Sequence, residues 1–209
     1  MTGKLLIAIP MKDPKQAKTR LSDALPPQER QRFALSLFLR TLDQIAAAQC
    51  EASVVVVTAS SLIAEEAQAR GAAVLREETA QGLNSACAQA KLWAAEQGFA
   101  HLAILPGDLA LLSATDIAQL SRLTLPRTAA ALCESSDGGT NCLMLHPEAE
   151  FEFCFGPDSF RAHRKAAARA GLASHILRSR TLRFDVDTTR DLAQIQQLRQ
   201  RPSTGQQAL

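Results

Sequence analysis

The sequence holds no tyrosine and one tryptophan, and aromatic residues make up only 4 % of its 209 positions. Proteins that grip single-stranded nucleic acid stack bases on aromatic side chains, so that class is disfavoured. An excess of one charge is missing too. Lys and Arg number 23 against 21 Asp and Glu, a formal net charge of +2. That leaves no basic field for a nucleic-acid backbone or an anionic membrane. Cys50, Cys87, Cys133, Cys142 and Cys154 are scattered, odd in number and never spaced Cys-x-x-Cys. The pattern argues against a disulfide framework or a zinc site and for reduced thiols in a cytoplasmic protein. His101, His146, His163 and His175 show no ligand spacing either. The first apolar run, residues 5–9, is too short for a signal peptide or a membrane span.

Two nucleotide signatures are absent as well. No Gly-x-Gly-x-x-Gly turn follows the first apolar run, which disfavours a dinucleotide site. No Gly-x-x-x-x-Gly-Lys-Ser/Thr occurs, so the chain is not a P-loop enzyme.

What is present is a hydrophobic share of 46 %, enough for a sizeable core in one domain. We place that domain at residues 1–201 and a flexible tail at 202–209. Residues 5–9 read as a buried strand stopped by Pro10, which cannot donate to a ladder. Residues 11–21 form a loop carrying Lys12, Lys15, Lys18 and Arg20. Helical spacing of Phe33, Leu37, Phe38, Leu42 and Ile45 predicts a helix over 27–48. The β-branched run 53–58 is the clearest strand. A helix over 61–70, a strand over 73–75 and an Ala-rich helix from Gly82 to Gln97 follow. The run 100–108 ends in Gly107 and Asp108. Ser113 is the expected N-cap of a helix to Leu123. Strands are expected at 128–133, 142–146, 174–177 and 181–185, and helices at 160–170 and 188–201. Strands alternating with helices give an α/β, single-domain, doubly wound and mostly parallel sheet.

Ligands of such sheets bind just beyond the carboxyl ends of the strands. Asp108 ends one apolar run, and Asp185 and Asp187 end another. Magnesium prefers carboxylate oxygens and is commonly held by one or two of them plus substrate phosphates. These three carboxylates are therefore the expected metal ligands. In an extended segment Asp185 and Asp187 point to opposite sides, so only one need face Asp108. Asp108 could instead serve as a turn or cap residue, and Asp187 with Thr188 could cap the last helix. Lys18 and Arg20 after the first strand suit a triphosphate, because Arg offers a fork of donors and Lys a point charge. A solvated basic loop is the plainer reading of the same residues. Gly156 and Ser159 open a helix whose free N–H groups suit an anion, and His163 lies one turn on.

Taken in order, several short pieces resemble one family. They are Ile9-Pro10-Met11-Lys12, Ala17-Lys18-Thr19-Arg20-Leu21, Gly82-Leu83-Asn84 and Leu105-Pro106-Gly107-Asp108-Leu109. Asp137-Gly138-Gly139-Thr140-Asn141, Phe155-Gly156-Pro157-Asp158-Ser159 with His163, and Asp185-Val186-Asp187-Thr188 complete the set. The set resembles the guanylyltransferases that activate a phosphorylated three-carbon acid for the deazaflavin coenzyme F-420. Two backbone-shaping prolines usual in that family are replaced here by Ala110 and Thr189. The resemblance implies a nucleotidyltransferase fold of the glycosyltransferase-A kind, with GTP and the acid as partners and Mg2+ as cofactor. It implies that Thr140, Gly156 and Ser159 hold the acid and that Asp108 and the Asp185/Asp187 pair hold magnesium; Cys142, after Thr140-Asn141, and His163, one turn after Ser159, are expected beside the acid. Pro10, Lys12, Lys18, Arg20, Gly82, Asn84 and Asp108 are the expected nucleotide site. Asp108, Asp187 and Lys18 are the expected catalytic groups. The small side chain of Cys142 is the reason to put 3-phospho-D-glycerate before phosphoenolpyruvate or 2-phospho-L-lactate. A molybdenum-cofactor or sugar- or alcohol-phosphate nucleotidyltransferase, or a non-catalytic nucleotide-binding protein, stays open. So does a homodimer.

Overall fold

The computed structural model describes residues 4–200, and side chains as far as Ile195. The expected tail, 202–209, lies outside the described residues. Seven strands form one sheet: β1 (Leu5–Pro10), β2 (Ala52–Thr58), β3 (Ala73–Arg76), β4 (His101–Ile104), β5 (Ala129–Glu134), β6 (Thr140–Leu145) and β7 (Ala173–Ile176). Their order is β3-β2-β1-β4-β6-β5-β7. All pairs are parallel except those made by β6, which runs against both β4 and β5. The chain starts at β1, goes out to β3 and returns past β1 to β4. Strand order therefore reverses between β1 and β4, and a crevice opens there at the carboxyl ends.

The strands read as unbroken apolar runs because both faces are covered. In β1, Leu5, Ile7 and Ile9 meet one core cluster, while Leu6 and Ala8 meet another. The first cluster takes Phe38, Leu42 and Ile45 from α1 (Pro27–Ala47), Ile63 and Ala67 from α2 (Ser61–Ala69), and Ile117 and Leu120 from α4 (Ala114–Arg122). The second takes Ala86, Ala90 and Ala94 from α3 (Leu83–Glu96) and Ala167 from α5 (Ser159–Arg169). The alanines of α3 let that helix lie close to the sheet. Phe38 has no exposed surface, and burying such a side chain contributes about 2–3 kcal/mol. Ser113 caps α4 as expected, in a reciprocal capping box with Asp116. Among the described residues no helix is long and apolar enough to cross a membrane.

One expected strand is not formed. Residues 181–185 are turn and irregular chain instead. The cause is side-chain competition for the backbone: Ser179 Oγ accepts from Leu182 N–H at 3.1 Å. Ser179 and Thr181 hydroxyls also donate to Asp116 Oδ1 at 2.9 and 2.6 Å. The segment then crosses the carboxyl end of the sheet, where Ser136 N–H donates to Arg183 C=O at 3.0 Å. Phe184 and Val186 anchor it against Leu37 of α1, Ala110 and Ile195 of α6 (Thr189–Gln200). Asp185 and Asp187 thus sit on a strap, not at a strand end.

Candidate active site

A cleft of about 790 Å³ lies over the carboxyl ends of the strands. Its centre is the loop after β4. The Leu105 N–H still donates to Ala8 C=O at 3.0 Å, and the chain then turns through Pro106 and Gly107 to Asp108. A Cβ on Gly107 would stand 3.1 Å from Met11 Sδ and 3.2 Å from atoms of Ile9 and Phe38. Glycine lets the turn lie this close to β1 and α1 without pushing those side chains aside. Two residues of α1 fasten the loop from outside. Arg40 donates to the carbonyls of Ala110 and Leu112 at 3.1 and 3.3 Å, and Thr41 donates to that of Gly107 at 3.4 Å.

Lys18 reaches the same point from the loop after β1. Its backbone is left-handed, at φ 54°, an uncommon conformation for a residue other than glycine. Its side chain is 3 % exposed, and its Nζ bonds Asp108 Oδ2 and, at 2.9 Å, Asp187 Oδ1. Burial pulls the Lys18 pKa down, but the two carboxylates outweigh it, and the pKa is raised above the ordinary lysine value. Arg20, mostly exposed, lies 3.8 Å from Asp187 Oδ2. Asp185 lines the same cleft. Burial, then the charges of Asp187 and Asp108, push its carboxyl up to about 6. Two carboxylate oxygens that converge on one lysine nitrogen could equally converge on one hard cation. The surplus of negative charge around Asp185 favours such a cation, so the donor set fits magnesium. Among the described residues no three or more His, Cys, Asp or Glu side chains form a ready metal cage. The remaining positions would fall to substrate oxygens.

A second polar group faces this centre from the start of β6. Register passes from Cys133↔Cys142 to Glu134↔Thr140, so Asn141 is the extra residue of a bulge. Thr140 thereby points toward α5, while Cys142 points into the opposite core beside Cys133. Thr140 Oγ1 lies 2.9 Å from His163 Nδ1 and accepts from Ser159 Oγ at 3.3 Å. His163 Nε2 accepts from the Cys154 N–H at 2.9 Å, so the ring proton sits on Nδ1 and is donated to Thr140. Burial holds the imidazole neutral and pushes its pKa down to about 4. With two donors on its oxygen, Thr140 has its own O–H left for a ligand. Gly156 takes φ +146°, open only to glycine at ordinary cost, and leads the chain into α5. Asn141 is 4 % exposed and lines the cleft, and its Nδ2 has no partner among the described residues.

The structure therefore brings together Pro10, Lys12, Lys18, Arg20, Gly82, Asp108, Thr140, Gly156, Ser159, Asp185 and Asp187 around one cleft. It does not bring three others to it. Cys142 is 1 % exposed and packs in the core, turned away by the bulge. His163 is fully buried behind Thr140 and supports it without facing the cleft. Asn84 is committed to the Phe155 backbone. Its Oδ1 accepts from Phe155 N–H at 2.7 Å, and its Nδ2 donates to Phe155 C=O at 3.2 Å. It shapes the approach to Gly156 instead of lining the cleft. Sequence reading missed Glu77, Asn141 and Asp137, which all line it. Glu77 follows β3 directly, and the strand-end logic that singled out Asp108 would have found it. No sequence signal marks the bulge that turns Asn141 inward.

Known proteins resemble this chain along most of its length. The family model described as "Guanylyl transferase CofC like" matches residues 5–198. A protein of Colwellia psychrerythraea named 3-phospho-D-glycerate guanylyltransferase is 36 % identical over 186 residues, covering 89 % of this chain and 88 % of its own. A phosphoenolpyruvate guanylyltransferase of Rubrobacter xylanophilus is 34 % identical, covering 90 % and 91 %. A 2-phospho-L-lactate guanylyltransferase of Methanothermobacter thermautotrophicus is 32 % identical, covering 92 % and 84 %. Among solved structures, a chain described as a nucleotide-diphospho-sugar transferase from Desulfovibrio desulfuricans superposes with TM-score 0.76 at 16 % identity, covering 99 % and 92 %. A nucleotidyl transferase from Methanothermobacter superposes with TM-score 0.66 at 11 % identity, covering 95 % and 99 %. These two likenesses establish the fold, a nucleotidyltransferase architecture.

Proposed function

The chain belongs to the CofC-like guanylyl transferase family, and from that premise we propose that it transfers GMP from GTP to a phosphorylated three-carbon acid and releases pyrophosphate. That it is a nucleotidyltransferase follows from its membership. The acid is one of the three named among its relatives: 3-phospho-D-glycerate, phosphoenolpyruvate or 2-phospho-L-lactate. The name of the Colwellia relative supports placing 3-phospho-D-glycerate first. Cys142, buried away from the cleft, lends that order no support. The product, guanosine joined through a diphosphate to the acid, is the activated form that the resemblance assigns to coenzyme F-420 assembly. Five free cysteines suit a cytoplasmic setting.

The observation that carries the reading is the convergence of Asp108, Asp187 and Lys18 at the reversal point of the sheet. A phosphate oxygen of the acid attacks the α-phosphorus of GTP in line, and the bond to pyrophosphate breaks. That oxygen is already anionic, since the second pKa of a phosphate monoester is about 6. No general base is needed, which fits a His163 held neutral and out of contact with the cleft. The difficulty is the approach of two anions. Asp108 and Asp187 would hold magnesium, whose positive charge would offset that repulsion. Arg20, mostly exposed, would face the triphosphate from the β1 loop and neutralise the departing pyrophosphate, while Lys18 balances Asp108 and Asp187 behind it. The Thr140 hydroxyl, with Ser159 Oγ donating to its oxygen from behind, would grip the carboxylate of the acid beside Gly156, which leaves the phosphate of the acid free to react. Alignment of this kind supplies much of the acceleration in phosphoryl-group chemistry.

The test is a pyrophosphate-release screen of four nucleoside triphosphates against the three acids. Release with GTP and one acid is expected. GTP binding without release, whatever the acid, would instead favour a non-catalytic nucleotide-binding protein.

A further inference from the structure

Glu77 carries a carboxylate oxygen that nothing in the fold accounts for. Its backbone continues the ladder one step past β3, with Glu77 N–H donating to Thr58 C=O at 3.1 Å. Its side chain is half-buried and lines the cleft, yet Oε1 is fully buried with no hydrogen-bond partner among the described residues. An unpaired buried acceptor carries a desolvation cost that a bound donor cancels. The lining of the cleft also includes the apolar Pro10, Met11, Val57, Ala80 and Leu83, with Gly82. Leu83 is 46 % exposed, a large apolar side chain left without cover at the mouth. A carboxylate in a cleft with apolar walls suits a planar ring that presents N–H donors at one edge.

Position in the sheet agrees. β3 stands three strands from β4, with β2 and β1 between them. At the usual spacing that is about 14 Å, less the inward reach of the glutamate. With the acid beyond β4, a nucleotide whose α-phosphate lay at Asp108 would extend its base toward β3. The acid pocket of Thr140 and Ser159 lies on the other side of β4.

Resting on the guanylyltransferase reading above, we infer that Glu77 reads the base, and that its carboxylate selects guanine by accepting from N1–H and the exocyclic amine together. Guanine alone among the common bases places two donors side by side on that edge. Adenine and cytosine set one donor beside a ring acceptor, which a carboxylate repels. Uracil sets its single donor between two carbonyl oxygens. A site built to hydrogen-bond a group rejects the analogue that lacks it, because the buried partner is left unpaired.

The test compares GTP with ITP, which keeps N1–H and lacks the exocyclic amine. Binding of each to the full-length protein is measured by calorimetry with magnesium and without any acid. The wild-type protein is expected to bind GTP at least about tenfold more tightly than ITP. Glu77→Gln and Glu77→Ala should weaken GTP by a similar factor and bring the GTP-to-ITP ratio close to one. The isosteric glutamine variant guards against misfolding, which far-UV circular dichroism checks in both. An unchanged ratio in the folded variants overturns the assignment, as does a wild-type protein that does not distinguish the two nucleotides. Failure of the wider reading looks different: no pyrophosphate with any acid, while the ratio still collapses when Glu77 is replaced.

Discussion

His163 Nδ1 lies 2.9 Å from Thr140 Oγ1, behind the wall of the cleft, where it sets the direction of the one hydroxyl hydrogen that Thr140 can offer a ligand. His163→Ala should therefore weaken the acid and leave GTP nearly untouched. It also removes the acceptor of the part-buried Cys154 N–H, a loss of about 1 kcal/mol of stability. Steady-state kinetics with each substrate varied in turn, beside a denaturation curve, checks both. Equal effects on the two substrates would reduce His163 to a packing residue.

The same histidine makes stability depend on pH. Its pKa is about 4 in the fold against 6.5 unfolded. Between those values the unfolded chain binds the extra proton, so stability is fully present above pH 6.5 and is lost as the pH falls toward 4. The full span is on the order of 3 kcal/mol. NMR titration of the imidazole should show it neutral down to about that pH. A midpoint near 6.5 would mean that the ring is hydrated.

Asp108→Asn and Asp187→Asn should each lower turnover by two or more orders of magnitude, at about 1.4 kcal/mol per tenfold, with the fold intact. Both variants are assayed across a magnesium titration, with circular dichroism as the control. Near-wild-type turnover in both at limiting magnesium would remove them as ligands.

Gly107→Ala should destabilise by roughly 1–3 kcal/mol, because its methyl group would crowd Met11, Ile9 and Phe38, which sit 3.1–3.2 Å away in a packed core. The turn would have to shift, and Asp108 with it. Urea denaturation reads the first effect and turnover the second. A variant that is as stable as wild type but slow would show that the turn moved while the core held.

Asn141→Asp exchanges a buried donor for a negative charge at constant shape. If Asn141 Nδ2 faces the acid, kcat/KM for the acid should fall by about a hundredfold or more, since a lost bond to a charged group and a new repulsion add. GTP affinity should change far less. Equal losses for both substrates would place Asn141 nearer the triphosphate.

Much of this arrangement is legible in the residues themselves. Apolar runs ending in Pro10 or Gly107-Asp108 mark strand ends, and Ser113 with Asp116 announces a helix start. What sequence cannot carry is parity across an irregularity. In a regular strand Thr140 and Cys142 share a face. The bulge at Asn141 separates them, sending one to the cleft and the other to the core. Side-chain competition misleads in the same way at residues 181–185, where Asp116 is sixty residues away and still decides the backbone through Ser179 and Thr181. Glu77 was readable, because it occupies the end of a strand as plainly as any residue in the chain.

The reversal of β6 has a consequence for how such a catalyst can diversify. Because β6 alone runs backward, β5 and β6 meet in a tight hairpin, and its tip, residues 135–139, rims the side of the cleft that faces the acid. Crossover connections elsewhere are locked under helices, but a hairpin tip tolerates insertion and exchange. Acceptor choice can then drift by edits to one exposed turn, while the nucleotide half keeps its frame. Grafting that turn between relatives with different acids should move preference without rebuilding the sheet.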